Sequence, residues 1–124
     1  MGTTGYIANP RVWATGSIAS GAAQSNDIDL MGYRPVALDI SSGFEGAMPL
    51  TIKGSNDATN WYALQTATGA LVGWASAVIT SATAQSVAMA PEWEEALMGH
   101  RFIRFVATAN QSTGVTFSVQ LLPL

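Results

Sequence analysis

Leu50-Thr51-Ile52-Lys53 and Trp61-Tyr62-Ala63-Leu64 are two short apolar runs joined by Gly54-Ser55-Asn56-Asp57-Ala58-Thr59-Asn60, and this stretch constrains the fold more than any other part of the chain. Ser, Asn and Asp reverse a chain because their short side chains bond the nearby main chain, and Asn and Asp tolerate left-handed backbone. The spacing therefore predicts a β-hairpin. Leu50 and Ile52 alternate with Thr51 and Lys53, so one face of the first strand can enter a core while the other meets water. Two strands alone are marginal in water, so further strands must cover that apolar face.

Such strands are legible on both sides. Tyr33 to Ile40 places Val36, Leu38 and Ile40 on one face and Ala37 and Asp39 on the other. Pro35 lacks a main-chain donor, which puts this strand at an edge or makes Pro35 its first paired residue. Ser17 to Gln24 alternates among small residues, permitting a strand of little core volume, and Ser25-Asn26-Asp27 reads as a turn. Ser41 to Ala47 is a loop. After the turn at Thr66 to Gly69, Leu71 to Trp74 and Val78-Ile79 form two short strands or one strand bulged at Gly73. Ala82 to Ala90 carries little pattern beyond Val87 and Met89, which can point inward together.

Pro91 to Gly99 is the one helical signal: Pro suits the first turn, Glu92, Glu94 and Glu95 sit near the positive end of the dipole, and Gly99 ends it. Trp93 and Leu97 share a face, so the helix is expected to plug one end of the core. Arg101 to Ala107 sets Ile103, Phe105 and Ala107 against Phe102, Arg104 and Val106. Val115, Phe117, Val119 and Leu121 alternate with Thr116, Ser118 and Gln120 in the clearest strand of the chain. The loop Asn110 to Gly114 predicts that these last two strands pair as a hairpin.

About seven or eight short strands with one short helix indicate an all-β fold, an antiparallel β-sandwich of jelly-roll-like form, with a small closed barrel as the alternative. No segment repeats at a fixed period. A chain of 124 residues suits one domain, burying roughly two-thirds of its unfolded surface. Residues 14–124 read as that domain. Residues 1–13, with scattered Tyr6, Ile7, Val12 and Trp13 among glycines, read as an extended N-terminal arm that either frays or docks on the chain's own body or a neighbouring subunit.

Charged residues make up 10% of the chain, against about 25% in an ordinary soluble domain. The outer surface must then be largely Ser, Thr, Ala, Gly and Asn, which suits a repeatedly contacted surface and points to oligomerisation or permanent assembly. A net charge of −3 and a pI near 4.7 argue against binding to nucleic acid, which needs clustered cations to displace counterions, and Arg101 and Arg104 are the only close basic pair. No apolar run approaches the roughly 20 residues of a membrane span. The first residues, Met1-Gly2-Thr3-Thr4-Gly5, lack the basic-then-apolar pattern of an export signal. With no cysteine, disulfides, thiolate metal sites and cysteine nucleophiles are excluded.

Catalytic chemistry finds few candidates. His100, the single histidine, follows Gly99 and precedes a strand, a position that suits a structural contact, and no Gly-x-Ser-x-Gly elbow accompanies it. Asp27 and Asp29 would point the same way on a strand and could face a hard cation, but no ligand loop surrounds them. Asp39, Glu45 and Asp57 could supply paired carboxylates, though nothing in the spacing brings two together. Lys53 lies within a strand without a Gly-rich phosphate loop, and Asn110-Gln111-Ser112 matches a glycosylation sequon but is more simply a turn. Trp61, Tyr62 and Trp74 could form a sugar platform or fill a core. The expectation is a protein that is not an enzyme, with no catalytic residue, cofactor or metal.

Gly54-Ser55-Asn56-Asp57-Ala58-Thr59-Asn60-Trp61-Tyr62-Ala63-Leu64 resembles the S-x-D-G-T-N-W/Y hairpin of small β-sandwich structural proteins of tailed bacteriophages and prophages. Ile18 to Ser25 resembles their first strand, Ile28-Asp29-Leu30 with Gly32-Tyr33-Arg34 their I-D-L-x-G-Y/F segment, and Arg101-Phe102-Ile103-Arg104-Phe105 their F-I-R/K strand. The resemblance covers roughly residues 17 to 122, and departs where Ala58 stands in place of the usual turn glycine. It implies a virion structural protein, a capsid decoration (cement) protein on the capsid surface, assembled in the host cytoplasm. Its partners would be the major capsid protein and itself, as a dimer or trimer. Contacts are then expected from the arm residues Tyr6, Ile7, Val12 and Trp13 and from the hairpin tip, Asn56, Asp57 and Asn60. The alternatives are a tail- or baseplate-associated binding module, recognising glycans through Trp61 or Trp74, and a small hydrolase using His100.

Overall fold

Nine strands and one short α-helix make up residues 12–41, 49–75, 78–79 and 84–123, which are the residues that the computed structural model describes. The strands are β1 (Val12–Ile18), β2 (Ile28–Asp29), β3 (Arg34–Ile40), β4 (Leu50–Ser55), β5 (Tyr62–Ala63), β6 (Gly73–Trp74), β7 (Gln85–Ala88), β8 (Phe102–Ala107) and β9 (Val115–Leu122). A 3-10 turn at Pro91–Trp93 leads into α1 (Glu94–Met98). All pairings are antiparallel. One sheet runs β1-β9-β3-β7, and the other runs β2-β8-β4-β5 with β6 also on β4. The chain changes sheet at every step except from β4 to β5 to β6, which together occupy one place. That alternation makes the sandwich a jelly roll.

Alternation of side chains builds the core. Ile103, Phe105 and Ala107 on β8 and Val115, Phe117, Val119 and Leu121 on β9 are all buried, as their spacing predicts. Phe105 meets Phe117 edge to face at 5.2 Å, and Trp74 stacks on Phe105 at 6.2 Å while meeting Trp93 edge on at 5.1 Å. Trp93 and Leu97 are buried, with Trp93 against Trp74, so the helical segment packs its shared apolar face on the core.

The pairing of β8 with β9 is corrected. They lie in different sheets, with their apolar faces opposed, and β9 is seated between β1 and β3. Their connection is no tight turn: Gln111 is fully buried, its N–H donates to the Ala22 carbonyl at 2.9 Å, and its carbonyl accepts the Gly21 N–H at 2.6 Å. The loop thus spends its main-chain bonds on residues 21–22 instead of on a two-strand ladder.

Other boundaries shift for local reasons. The first strand lies earlier than Ser17 to Gln24, and Gln24 and Ser25 make only isolated bridges. Val12 and Trp13 belong to it, opposite Leu121 and Gln120, while the rest of the expected arm, Tyr6 and Ile7 included, lies outside the described residues. In β3 the register slips between Pro35 and Ala37, which turns Pro35 inward in place of Val36. Pro35 is neither first in its strand nor on an outer strand; it sits at this irregularity, before β7 begins to pair at Ala37. Gly73 belongs to β6 and not to a longer bulged strand, and it has to be small: a Cβ there would stand 2.5 Å from the Leu50 carbonyl oxygen. The loop residues from Ser42 to Ala47 lie outside the described residues.

Candidate functional site

The hairpin forms as the sequence predicts, with Lys53 opposite Ala63 and Gly54 opposite Tyr62. Its loop is built around Asp57. That carboxylate accepts the main-chain N–H of Asn60 at 2.8 Å and of Thr59 at 2.9 Å, the Asn60 Nδ2 at 2.8 Å and the Ser55 hydroxyl at 2.9 Å. These donors, the Asn60 and Thr59 N–H groups foremost, hold the Asp57 carboxyl well below the usual carboxylate range. The Ser55 oxygen in turn accepts the Ala58 N–H at 3.0 Å, and Ala58 takes a left-handed φ of 61°, a conformation that favours glycine.

Asn56 faces the other way. Its Nδ2 donates to the Gly99 carbonyl at 3.2 Å and its Oδ1 accepts the Arg101 N–H at 2.8 Å, which pins the loop to the junction of α1 and β8. The same junction holds His100: its Nδ1 lies 2.8 Å from the Ala96 carbonyl oxygen, and its ring occupies the space beside Gly54, where a Cβ would come within 2.7 Å of it. Asn56, Asp57 and Asn60 are thus brought together in one loop, as expected, with their side-chain bonds serving the loop and its anchor. The result is a loop braced from within by Asp57 and anchored from without by Asn56.

Two arginines, Arg101 and Arg104, stand at the second sheet, while Arg34 begins β3 of the first and pairs with Glu94 at 3.2 Å. Arg104 Nε lies 2.7 Å from Asp27 Oδ1, and its guanidinium stacks 4.1 Å above the Trp61 ring. Arg101 reaches Asp29 at 3.4 Å and lies 4.9 Å from the Phe102 ring centre. Asp27 and Asp29 therefore face cationic side chains, in exposed pairs of the kind worth about 0–1 kcal/mol each. Among the described residues no three His, Cys, Asp or Glu side chains converge as a metal site would need. Asp39 accepts a hydrogen bond from the Ser86 hydroxyl on the first sheet, away from Asp57, and Glu45 lies outside the described residues. Of the three aromatic residues considered for a platform, Trp74 is only 6% exposed and donates its Nε1–H to the Ala88 carbonyl, so it fills the core. Trp61 is half-buried under Arg104, and Tyr62 is 62% exposed.

The outer face of the first sheet is hydroxyl-rich. Antiparallel register sets Thr15 beside Ser118, Ser118 beside Asp39 and Asp39 beside Ser86, with Ser17 next to Thr116 in the following row. Ser41 adds its hydroxyl, which donates to the Thr116 carbonyl at 2.9 Å. Thr15, Ser17, Asn26, Asp39, Ser41, Thr116 and Ser118 line a shallow concavity of about 600 Å3, together with Gly16, Ile40 and Phe117. Its chemistry is that of a hydrogen-bonding surface for polyols or peptide groups. Trp13, on the same face of β1, is 60% exposed. Sequence reading passed this surface over because its residues come from distant strands. Their only common signal is a small polar residue at alternate positions of separate strands, and that becomes a surface only once register is known.

No family model matches the chain, and no curated protein matches its sequence. Among solved structures, the chain is similar to the SPBc2 prophage-derived protein YomS, with a TM-score of 0.51 at 10% sequence identity over 95% of this chain and 99% of that one. The two chains share a fold. At this identity the likeness extends to the sandwich and no further. No helix among the described residues is long and apolar enough to cross a membrane.

Proposed function

We propose that the chain is a bacteriophage virion structural protein, a capsid decoration (cement) protein that binds the major capsid protein and neighbouring copies of itself on the capsid surface. The observation that carries this reading is the Asp57 loop. The residues that resemble the phage hairpin motif form one braced loop, on a sandwich fold similar along nearly its whole length to that of a prophage-derived protein. The sparse charge of the chain and the hydroxyl-covered outer sheet support repeated contact with neighbours.

The mechanism is burial of area without chemistry. An interface of about 800 Å2 per partner, repeated around a lattice, resists displacement through avidity. The non-enzymatic reading is favoured because His100, Asp27, Asp29 and Asp57 are each spent in contacts that hold the fold. Nucleic acid and membrane are not among the proposed partners, since the two close arginines are already paired with carboxylates. Contacts to the proposed partners, the shell and neighbouring copies, are assigned to Tyr6, Ile7, Val12 and Trp13 and to the tip residues Asn56, Asp57 and Asn60.

The test is binding of the purified chain to undecorated capsids of its own phage. Saturable binding at many copies per shell is expected, and removal of residues 1–11, which takes Tyr6 and Ile7 and leaves β1 whole, weakens it. Unchanged binding would reassign the contact away from the arm, and binding to tails alone overturns the head location. The second reading, a tail or baseplate module that recognises glycans, draws on Trp61 and on the hydroxyl-lined concavity. A glycan array in which Trp61→Ala loses binding while keeping the fold would establish it.

A further inference from the structure

The outermost strands of the two sheets differ in how open they are. Strands β2 and β5 have two residues each and β7 has four, whereas β1 is seven residues long, pairs with β9 without a slip, and contains no charged residue, proline or bulge. Natural sheets normally blunt an edge of that length with a charge, a proline or a kink, because its free main-chain groups are a template for another strand. Nothing of the kind protects Val12-Trp13-Ala14-Thr15-Gly16-Ser17-Ile18.

The direction in which those groups point follows from Ser17. Its N–H donates to Asn26 Oδ1 at 2.8 Å and its carbonyl accepts the Asn26 N–H at 3.2 Å, so both face away from β9. Along an antiparallel strand that orientation repeats every second residue. Trp13 and Thr15 therefore also turn their N–H and C=O outward, while Ala14 and Gly16 give theirs to β9. Asn26 closes the edge at Ser17. Upstream of it, the outward main-chain groups of Trp13 and Thr15 meet no partner among the described residues.

We propose that this edge joins two copies of the chain, β1 against the partner's β1, around a two-fold axis through Ala14. An antiparallel strand edge is self-complementary, which is what a two-fold interface requires. With Ala14 opposite the partner's Ala14, Trp13 lies opposite the partner's Thr15 and Thr15 opposite the partner's Trp13. Those are the residues whose main-chain groups point outward, so four hydrogen bonds form and the two four-stranded sheets become one of eight. On the outer face, Trp13 and the partner's Trp13 are diagonal neighbours across the axis, within reach of one another. This accounts for a tryptophan that is 60% exposed in the single chain. No charge lies anywhere in the paired segment to oppose its own copy. The hydroxyl-lined concavities, which begin at Thr15, are then carried on one continuous surface.

The inference names the surface for the self-association proposed above, and it rests on that reading in taking a second copy as the partner. It is tested on the full chain in solution by light scattering and sedimentation, with no capsid present. The expected mass is that of two chains. Thr15→Pro removes an outward N–H that β9 does not use, and Trp13→Lys places a charge on the edge. Each should weaken the dimer about tenfold or more while circular dichroism and the melting temperature of the monomer stay unchanged. Amide exchange at Thr15 should be slow in the dimer and fast in Trp13→Lys. A single-chain mass at micromolar concentration overturns the pairing, as does a trimer, or a dimer indifferent to a folded Trp13→Lys variant. Capsid binding is measured separately on Thr15→Pro, whose residue is not among the assigned shell contacts, so loss of the edge dimer and loss of the cement reading are told apart.

Discussion

Two polar loops in this chain look alike on paper and do opposite things. Residues 56–60 and 108–114 each follow an apolar strand, are rich in Ser, Thr and Asn, and precede another strand. The first closes a hairpin, because Asp57 gathers four donors from Ser55, Thr59 and Asn60, all within three residues of it, and only Asn56 reaches out, to Gly99 and Arg101. The second carries the chain from one sheet to the other, because Gln111 is buried and exchanges its main-chain bonds with residues 21–22, far away in sequence. A loop that satisfies itself brings its flanking strands together; a loop that is satisfied from elsewhere is free to separate them.

Substitutions can break this contrast, and the largest effect belongs to the crossing strands. Phe105→Ala should cost about 3–5 kcal/mol in denaturant unfolding, and a double-mutant cycle with Phe117 should give a coupling of about 0.5–1.5 kcal/mol. A coupling near zero would mean that β8 and β9 do not face each other. Gln111→Ala follows, at about 1–3 kcal/mol, because its side chain is enclosed and its Nε2 donates to the Ala109 carbonyl at 3.0 Å. Ala58→Gly should act in the opposite sense, raising stability by about 0.5–1 kcal/mol in thermal melts, since it relieves a left-handed alanine.

The smallest effect lies in pH. With the Asp57 carboxyl held below its ordinary range in the folded chain, the unfolded chain takes up the proton first as pH falls. The stability that this group contributes is complete above the usual aspartate range, about pH 4, and drains away as pH drops from there towards the depressed folded value. Asp57→Asn, which like the protonated carboxyl carries no charge, should lower stability at pH 7 and flatten its decline below about pH 4, so that the two proteins converge as pH falls. Denaturant midpoints at pH 7 and pH 3 for both proteins check the sign.

What could be read from the residues was whatever short-range physics decides. Val115 to Leu121 alternates so regularly that its buried face was plain, and Pro91 with Gly99 marked the helical segment at both ends. The Asp57 loop was legible because its donors lie within a few residues of it. What escaped was set by partners distant in the chain. Nothing around Gln111 says that residues 21–22 await it, and nothing near Pro35 shows the slip that turns Val36 aside. Trp74 could be a platform or a core residue until Phe105 and Trp93 were seen around it. The hydroxyl-lined concavity had no local signal at all, since Thr15, Ser118 and Asp39 meet only through register.

The position of β9 has a consequence for the order of events as the chain is made. It is the ninth strand in sequence, yet it sits inside its sheet, and both β1 and β3 pair with it and not with each other. Until residues 115–122 have been synthesised, β1 has no neighbour in that sheet, and it must wait more than 90 residues for one. A nascent chain can close its hairpin at Asp57 and pair β3 with β7 early, but β1 joins the first sheet only in a late step, when its keystone arrives.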